Sequence, residues 1–206
     1  MEHDLDVLVH GLRTDGFVRS SNLDPLAYRG IADALGTVID ETDVRLRPAG
    51  RTCLTRPRMI PFHTDHPHAE IIGWHCMRQD PTDGASLLVD AQDALAMLSP
   101  EDREELSNVT MPALRWLGGE PDPTPLVDGR SVFFAPWLPV PEPASEVVGR
   151  LRVGLDGARV HRCRLRPGEA LFVDNRRMLH GRGAISKGSA RWLQRLWIAG
   201  TPLALS

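Results

Sequence analysis

Short runs of strand-forming residues, each closed by Gly, Pro or Asp, recur along this chain and leave little room for long helices. They cover Ala69 to Cys76, Ser86 to Val89, Leu114 to Leu117, Ser131 to Ala135, Arg159 to Leu165, Ala170 to Val173 and Arg191 to Ile198. Asp156-Gly157 and Pro167-Gly168 are turn signals on either side of one of them. Two helices are marked. One follows Asp24-Pro25, with Leu26, Ile31, Ala34 and Leu35 at roughly helical spacing and Gly36 as its stop. The other starts at Ser99-Pro100-Glu101-Asp102, an N-cap serine, an N1 proline and two acids in the first turn, and runs from Pro100 to Leu106. Many short strands with two flanking helices predict a mostly β fold, a double-stranded β-helix of the jelly-roll, cupin-like kind.

At 206 residues the chain is read as one domain, residues 1–206, large enough to enclose a pocket. A formal charge of -3 and the lack of a polybasic run exclude nucleic acid as the expected partner. The sequence shows neither a leader-like N-terminus nor an apolar run of about 18 residues, so no membrane partner and a cytoplasmic location are expected. Cys53, Cys76 and Cys163 are odd in number and widely spaced, which favours reduced, mostly buried thiols over a disulfide framework or zinc ribbon. The proline-rich stretch from Pro121 to Pro143 reads as a loop or lid. Oligomeric state is not encoded in any visible pattern.

His63-Thr64-Asp65 carries the chemistry. On extended backbone, residues i and i+2 share a face, so the His63 imidazole and the Asp65 carboxylate can reach one metal ion while Thr64 turns away. A second histidine from elsewhere would complete a two-histidine, one-carboxylate face. Such a face leaves three positions open on an octahedral ion, which suits Fe(II).

Around that tripeptide stand Pro61-Phe62, Asp83-Gly84-Ala85-Ser86-Leu87, Pro167-Gly168-Glu169-Ala170-Leu171-Phe172-Val173-Asp174-Asn175, His180-Gly181-Arg182 and Arg191-Trp192-Leu193-Gln194-Arg195. In this order they resemble the taurine dioxygenase and clavaminate synthase-like branch of the Fe(II)/2-oxoglutarate-dependent oxygenases, from about residue 61 to 198. The resemblance implies His63, Asp65 and His180 as iron ligands, with 2-oxoglutarate and O2 as co-substrates. It also implies a small-molecule substrate that is hydroxylated as succinate and CO2 leave. Halogenating members replace the carboxylate ligand with a small residue, so Asp65 favours oxygen insertion. The family spacing further makes Arg191 the clamp on the distal carboxylate of 2-oxoglutarate, because a guanidinium forks onto a carboxylate as lysine cannot, with Ser86 beside it.

Arg191, Leu193 and Arg195 would share the inward face of one strand. The resemblance implies that Arg195 lies by the co-substrate's other carboxylate or by an acidic group of an anionic, amino-acid-like substrate, the alternative being a protein acid such as Asp83 or Glu70. Arg182 is expected to brace the strand end that carries His180. His66 and His68 read as loop or pocket-rim residues, and Trp74 and His75 as core. The short span between Asp65 and His180 predicts a reduced lid and a mouth open to a larger or carrier-tethered substrate. Two other readings use the same residues: a non-catalytic jelly-roll that binds a metal or small molecule, and a cupin-type metalloenzyme that does not use 2-oxoglutarate.

Overall fold

The computed structural model describes residues 5–47, 53–112 and 123–200. In chain order the elements are α1 (Leu5–Asp15), β1 (Phe17–Ser20), α2 (Pro25–Leu35), β2 (Thr37–Arg45), β3 (Ile60–His63), β4 (Ile71–Arg78), β5 (Ser86–Asp90), α3 (Ala91–Ala96) and α4 (Pro100–Ser107). After them come the two-residue strands β6 (Thr110–Met111), β7 (Thr124–Pro125), β8 (Val127–Asp128) and β9 (Ser131–Val132), then α5 (Ser145–Gly157), β10 (Val160–Cys163), β11 (Ala170–Asp174), β12 (Met178–Arg182) and β13 (Trp192–Ala199).

Two antiparallel sheets, ordered β1-β11-β4-β13-β2 and β10-β5-β12-β3, form the double-stranded β-helix. Alternation along β4 and β13 sorts their side chains. Ile72, Trp74, Leu193 and Trp197 point between the sheets with Leu88, Leu171 and Met178. Ile71, Leu196 and Ile198 point outward and are covered by Leu8, Leu12, Tyr28, Ile31 and Leu35 of α1 and α2. The smaller sheet is covered by α3, α4 and α5 through Leu95, Leu106, Val147, Val148, Leu151 and Leu155. Both faces of each sheet are thus buried, which is why several strands are continuous apolar runs.

Local chemistry fixes the ends of the expected helices. Asp24 caps α2 by accepting from the Ala27 N–H at 2.7 Å, and Ser99 caps α4 by accepting from the Asp102 N–H at 3.1 Å. Three helices were not anticipated: α1, α3 and α5. In α5 the signal was present, since Val147, Val148, Leu151, Gly154 and Leu155 are its buried stripe. The stretch expected as a loop or lid holds β7, β8 and β9 in its described part. The expected strand Leu114 to Leu117 lies outside the described residues. No helix among the described residues is long and apolar enough to cross a membrane.

Candidate metal centre

Two of the three expected ligands meet because their strands are neighbours. β12 lies between β5 and β3, and His180 is directly opposite His63 in the antiparallel register. The pairing shifts between His180 and Arg182, where a Cβ on Gly181 would stand 2.6 Å from the Ile60 carbonyl oxygen. Glycine at 181 therefore permits the close approach that brings the two imidazoles to a centroid separation of 4.3 Å.

Asp65 lies just beyond β3, on a segment held from two sides. Thr64 turns away, as expected, and is pinned to Phe134: its N–H donates to the Phe134 carbonyl at 2.8 Å and its Oγ1 accepts from the Phe134 N–H at 2.9 Å. The Asp65 N–H donates to Asn175 Oδ1 at 2.8 Å, while Asn175 Nδ2 donates to the Ala69 carbonyl at 2.8 Å and to that of His66 at 3.3 Å. Asn175 was visible only as part of a motif. Its buried amide anchors the metal-facing loop, and no local spacing announces that role.

The result is a convergent donor set. Asp65 Oδ1 stands 3.6 Å from His63 Nε2 and 3.7 Å from His180 Nε2, and the ligand atoms of the three residues all lie within 4.8 Å of one another. His63 Nδ1 is 2.8 Å from the Pro61 carbonyl oxygen, so Nδ1 carries the proton and Nε2 presents its lone pair. Burial, followed by repulsion from His63, pushes the His180 imidazole down to about 4, against the pull of Asp65. Burial alone would raise the Asp65 carboxyl, yet the charge of Arg195, with the two histidines beside it, holds it well below the usual carboxylate range. An imidazole nitrogen with its lone pair facing inward and an ionised carboxylate are what a divalent ion requires of its ligands.

Beside this face is a cavity of about 40 Å³, open to solvent, whose wall contains His63, Trp74, Ser86, His180, Arg191 and Arg195. Arg191, Leu193 and Arg195 all line it, as the strand alternation predicts. Arg191 is buried, and its Nε donates to Gln79 Oε1 at 3.2 Å. Among the described residues no carboxylate lies within ion-pair distance of it. Burial, with Arg182 nearby, lowers the Arg191 guanidinium to about 10. Gly84 permits its position, because a Cβ there would approach Arg191 Cδ and Nε to 2.9 Å on a backbone with φ of +81°.

Arg195 does pair with a protein acid, but not with Asp83 or Glu70, which face Arg162 and Arg176. Its Nη1 donates to Asp65 Oδ2 at 2.8 Å, and Nη2 stands 3.9 Å from Asp40. Arg182 donates to the carbonyls of Arg56 and Arg58, each at 2.7 Å, tying the segment before β3 to the end of β12. Trp74 and His75 divide between the two faces of β4. Trp74 turns its edge to His180 at 5.0 Å, whereas His75 packs outward on Tyr28 at 5.0 Å. His66 is buried against Trp197, and His68 is exposed beside it.

Fold and donor set together define a double-stranded β-helix with a His-Asp-His metal-binding face. The family described as taurine catabolism dioxygenase TauD, TfdA matches residues 150–197. The L-asparagine oxygenase of Streptomyces coelicolor is 33% identical over 169 residues, 73% of this chain and 49% of that protein, so the chain spans about half the length of that relative. Among solved structures, an asparagine oxygenase in complex with Fe(II), 2S,3S-3-hydroxyasparagine and succinate superposes with a TM-score of 0.79 at 22% identity, covering 95% of this chain and 78% of that one. The non-haem iron oxygenase OrfP in complex with Fe and alpha-ketoglutaric acid gives 0.75 at 19% identity, covering 97% and 80%.

Proposed function

We propose that the chain is an Fe(II)- and 2-oxoglutarate-dependent oxygenase that hydroxylates a small amino-acid-like substrate. The observation that carries this reading is a cavity whose wall holds His63, His180 and the cation Arg191, with Asp65 Oδ1 converging on the two histidines beside it. A metal-only binder needs no such cation, whose burial costs stability unless an anion arrives. The same point weighs against a cupin-type enzyme that does not use 2-oxoglutarate.

His63, Asp65 and His180 would hold the iron. With co-substrate and O2 bound, iron supplies the oxidation in which substrate C–H, 2-oxoglutarate and O2 become substrate C–OH, succinate and CO2. The chain's own residues orient and enclose. Arg191 forks onto the distal carboxylate of 2-oxoglutarate, with Ser86 on the neighbouring wall. Arg195 keeps Asp65 ionised and leaves its remaining edge toward the cavity and Asp40. Trp74, packed on His180, removes water from one side of the centre. The asparagine oxygenase and OrfP structures hold hydroxylated amino acids, one of them (3R,4R)-dihydroxy-L-Arg, which supports an amino acid skeleton as the substrate class.

The test has two stages. Anaerobic addition of Fe(II) and then 2-oxoglutarate should produce a metal-to-ligand charge-transfer band that needs both. Succinate release is then followed with free L-amino acids and with the same amino acids bound through a carrier thioester. A band without amino-acid-dependent succinate would exclude this substrate class, and absence of the band would overturn the oxygenase reading itself.

A further inference from the structure

A carboxylate can hold a metal through one oxygen or through both, and the choice decides how many positions remain for other ligands. In this chain the two oxygens of Asp65 have different surroundings. Oδ1 stands between the Nε2 atoms of His63 and His180 at 3.6 and 3.7 Å. Oδ2 points the other way and accepts two hydrogen bonds, one from Arg195 Nη1 at 2.8 Å and one from the indole Nε1–H of Trp197 at 2.8 Å.

Trp197 is 1% exposed, and its ring is in contact with two neighbours. The Arg195 guanidinium carbon lies 4.7 Å from the ring centroid, and the His66 ring stacks at 5.8 Å with an interplanar angle of 29°. The indole cannot swing away without breaking this stack. Its N–H is therefore fixed in direction, as a flexible donor would not be.

We propose that Trp197 is a positioning residue for the metal centre: its indole N–H, acting with Arg195, occupies Oδ2 of Asp65 and fixes the carboxylate as a single-oxygen ligand through Oδ1. The inference deepens the oxygenase reading and rests on it. Two donors fill the lone pairs of Oδ2, so the carboxylate neither rotates nor closes onto the metal with its second oxygen. Arg195 alone supplies charge but leaves Oδ2 room for one more partner. The tryptophan excludes that partner from being the metal.

The experiment is a Co(II) titration under anaerobic conditions, reading affinity and the d–d absorption spectrum, which responds to coordination number. Wild type is compared with Trp197→Phe and with a protein carrying benzothienylalanine at position 197, where sulfur replaces the indole N–H in a ring of nearly the same shape. The expected result is Co(II) binding weakened roughly tenfold or more in both variants, with a changed d–d spectrum. The benzothienylalanine protein keeps the test open should Trp197→Phe fail to fold. Wild-type affinity and spectrum in that protein would overturn the proposal. Weaker binding with an unchanged spectrum would also overturn it, assigning Trp197 to packing alone. A wild-type chain that takes up no Co(II) would overturn the metal reading and this proposal together.

Discussion

Arg191 shows how one side chain can lower stability in order to bind. Its guanidinium is buried with no carboxylate of the described residues within ion-pair distance, Asp80 acting on it only from further away, so the folded state holds a charge that water would solvate better. The guanidinium stays charged in both states at neutral pH, so the penalty is complete there. Arg191→Met should therefore raise the melting temperature of the metal-free protein at pH 7 by about 2–4 °C for each kcal/mol relieved. The same variant should lose stabilisation by 2-oxoglutarate, which calorimetry on both proteins would show. Cys76 offers a second check at this scale. Burial pushes its thiol up to about 11, so iodoacetamide at pH 8 should leave Cys76 unmodified until the protein unfolds, as peptide mapping would reveal. That His63, His180 and Arg191 meet at one cavity could be anticipated from the sequence, through the resemblance that joins their motifs. The bond from Arg195 to Asp65 could not, since it joins positions 130 residues apart.

At the scale of elements the site is a matter of strand spacing. β3 and β12 place His63 opposite His180 only because Gly181 lets the Ile60 carbonyl come close. Gly181→Ala would set a Cβ 2.6 Å from that oxygen, so β3 must shift. The expected outcome is metal affinity lowered about tenfold or more, with far-ultraviolet circular dichroism retained; unchanged affinity would show that the strands absorb the methyl group elsewhere. Asn175→Ala should act through the neighbouring segment, costing about 1–3 kcal/mol in urea unfolding as the Asp65 N–H and two loop carbonyls lose their partner. Strands enclosed on both faces, such as Ile71–Arg78 and Ala170–Asp174, were legible as apolar runs closed by turn residues. β2 was not. It is an edge strand carrying Asp40, Glu41, Asp43 and Arg45, charges that suit an exposed edge and mask its period.

For the molecule as a whole, occupancy of the centre should register as stability. On the proposed function Fe(II) binds the folded chain and not the unfolded one, so free ion at 100 times its dissociation constant should contribute about 2.7 kcal/mol, seen as a higher melting temperature that a chelator reverses. The sheet order has a different consequence, which concerns time. In the sheet β1-β11-β4-β13-β2 the early strands β1, β4 and β2 never touch one another, because β11 and β13 separate them. In the other sheet β12 separates β5 from β3. A ribosome that has made the first ninety or so residues has therefore released five strands with no mutual pairing. Both sheets, and the metal face with them, must wait for the strands that begin at Ala170, Met178 and Trp192. Assembly of the two sheets consequently comes late, after residues 170–199 have been made. Until then its apolar early strands are an unpaired load for whatever guards the nascent chain.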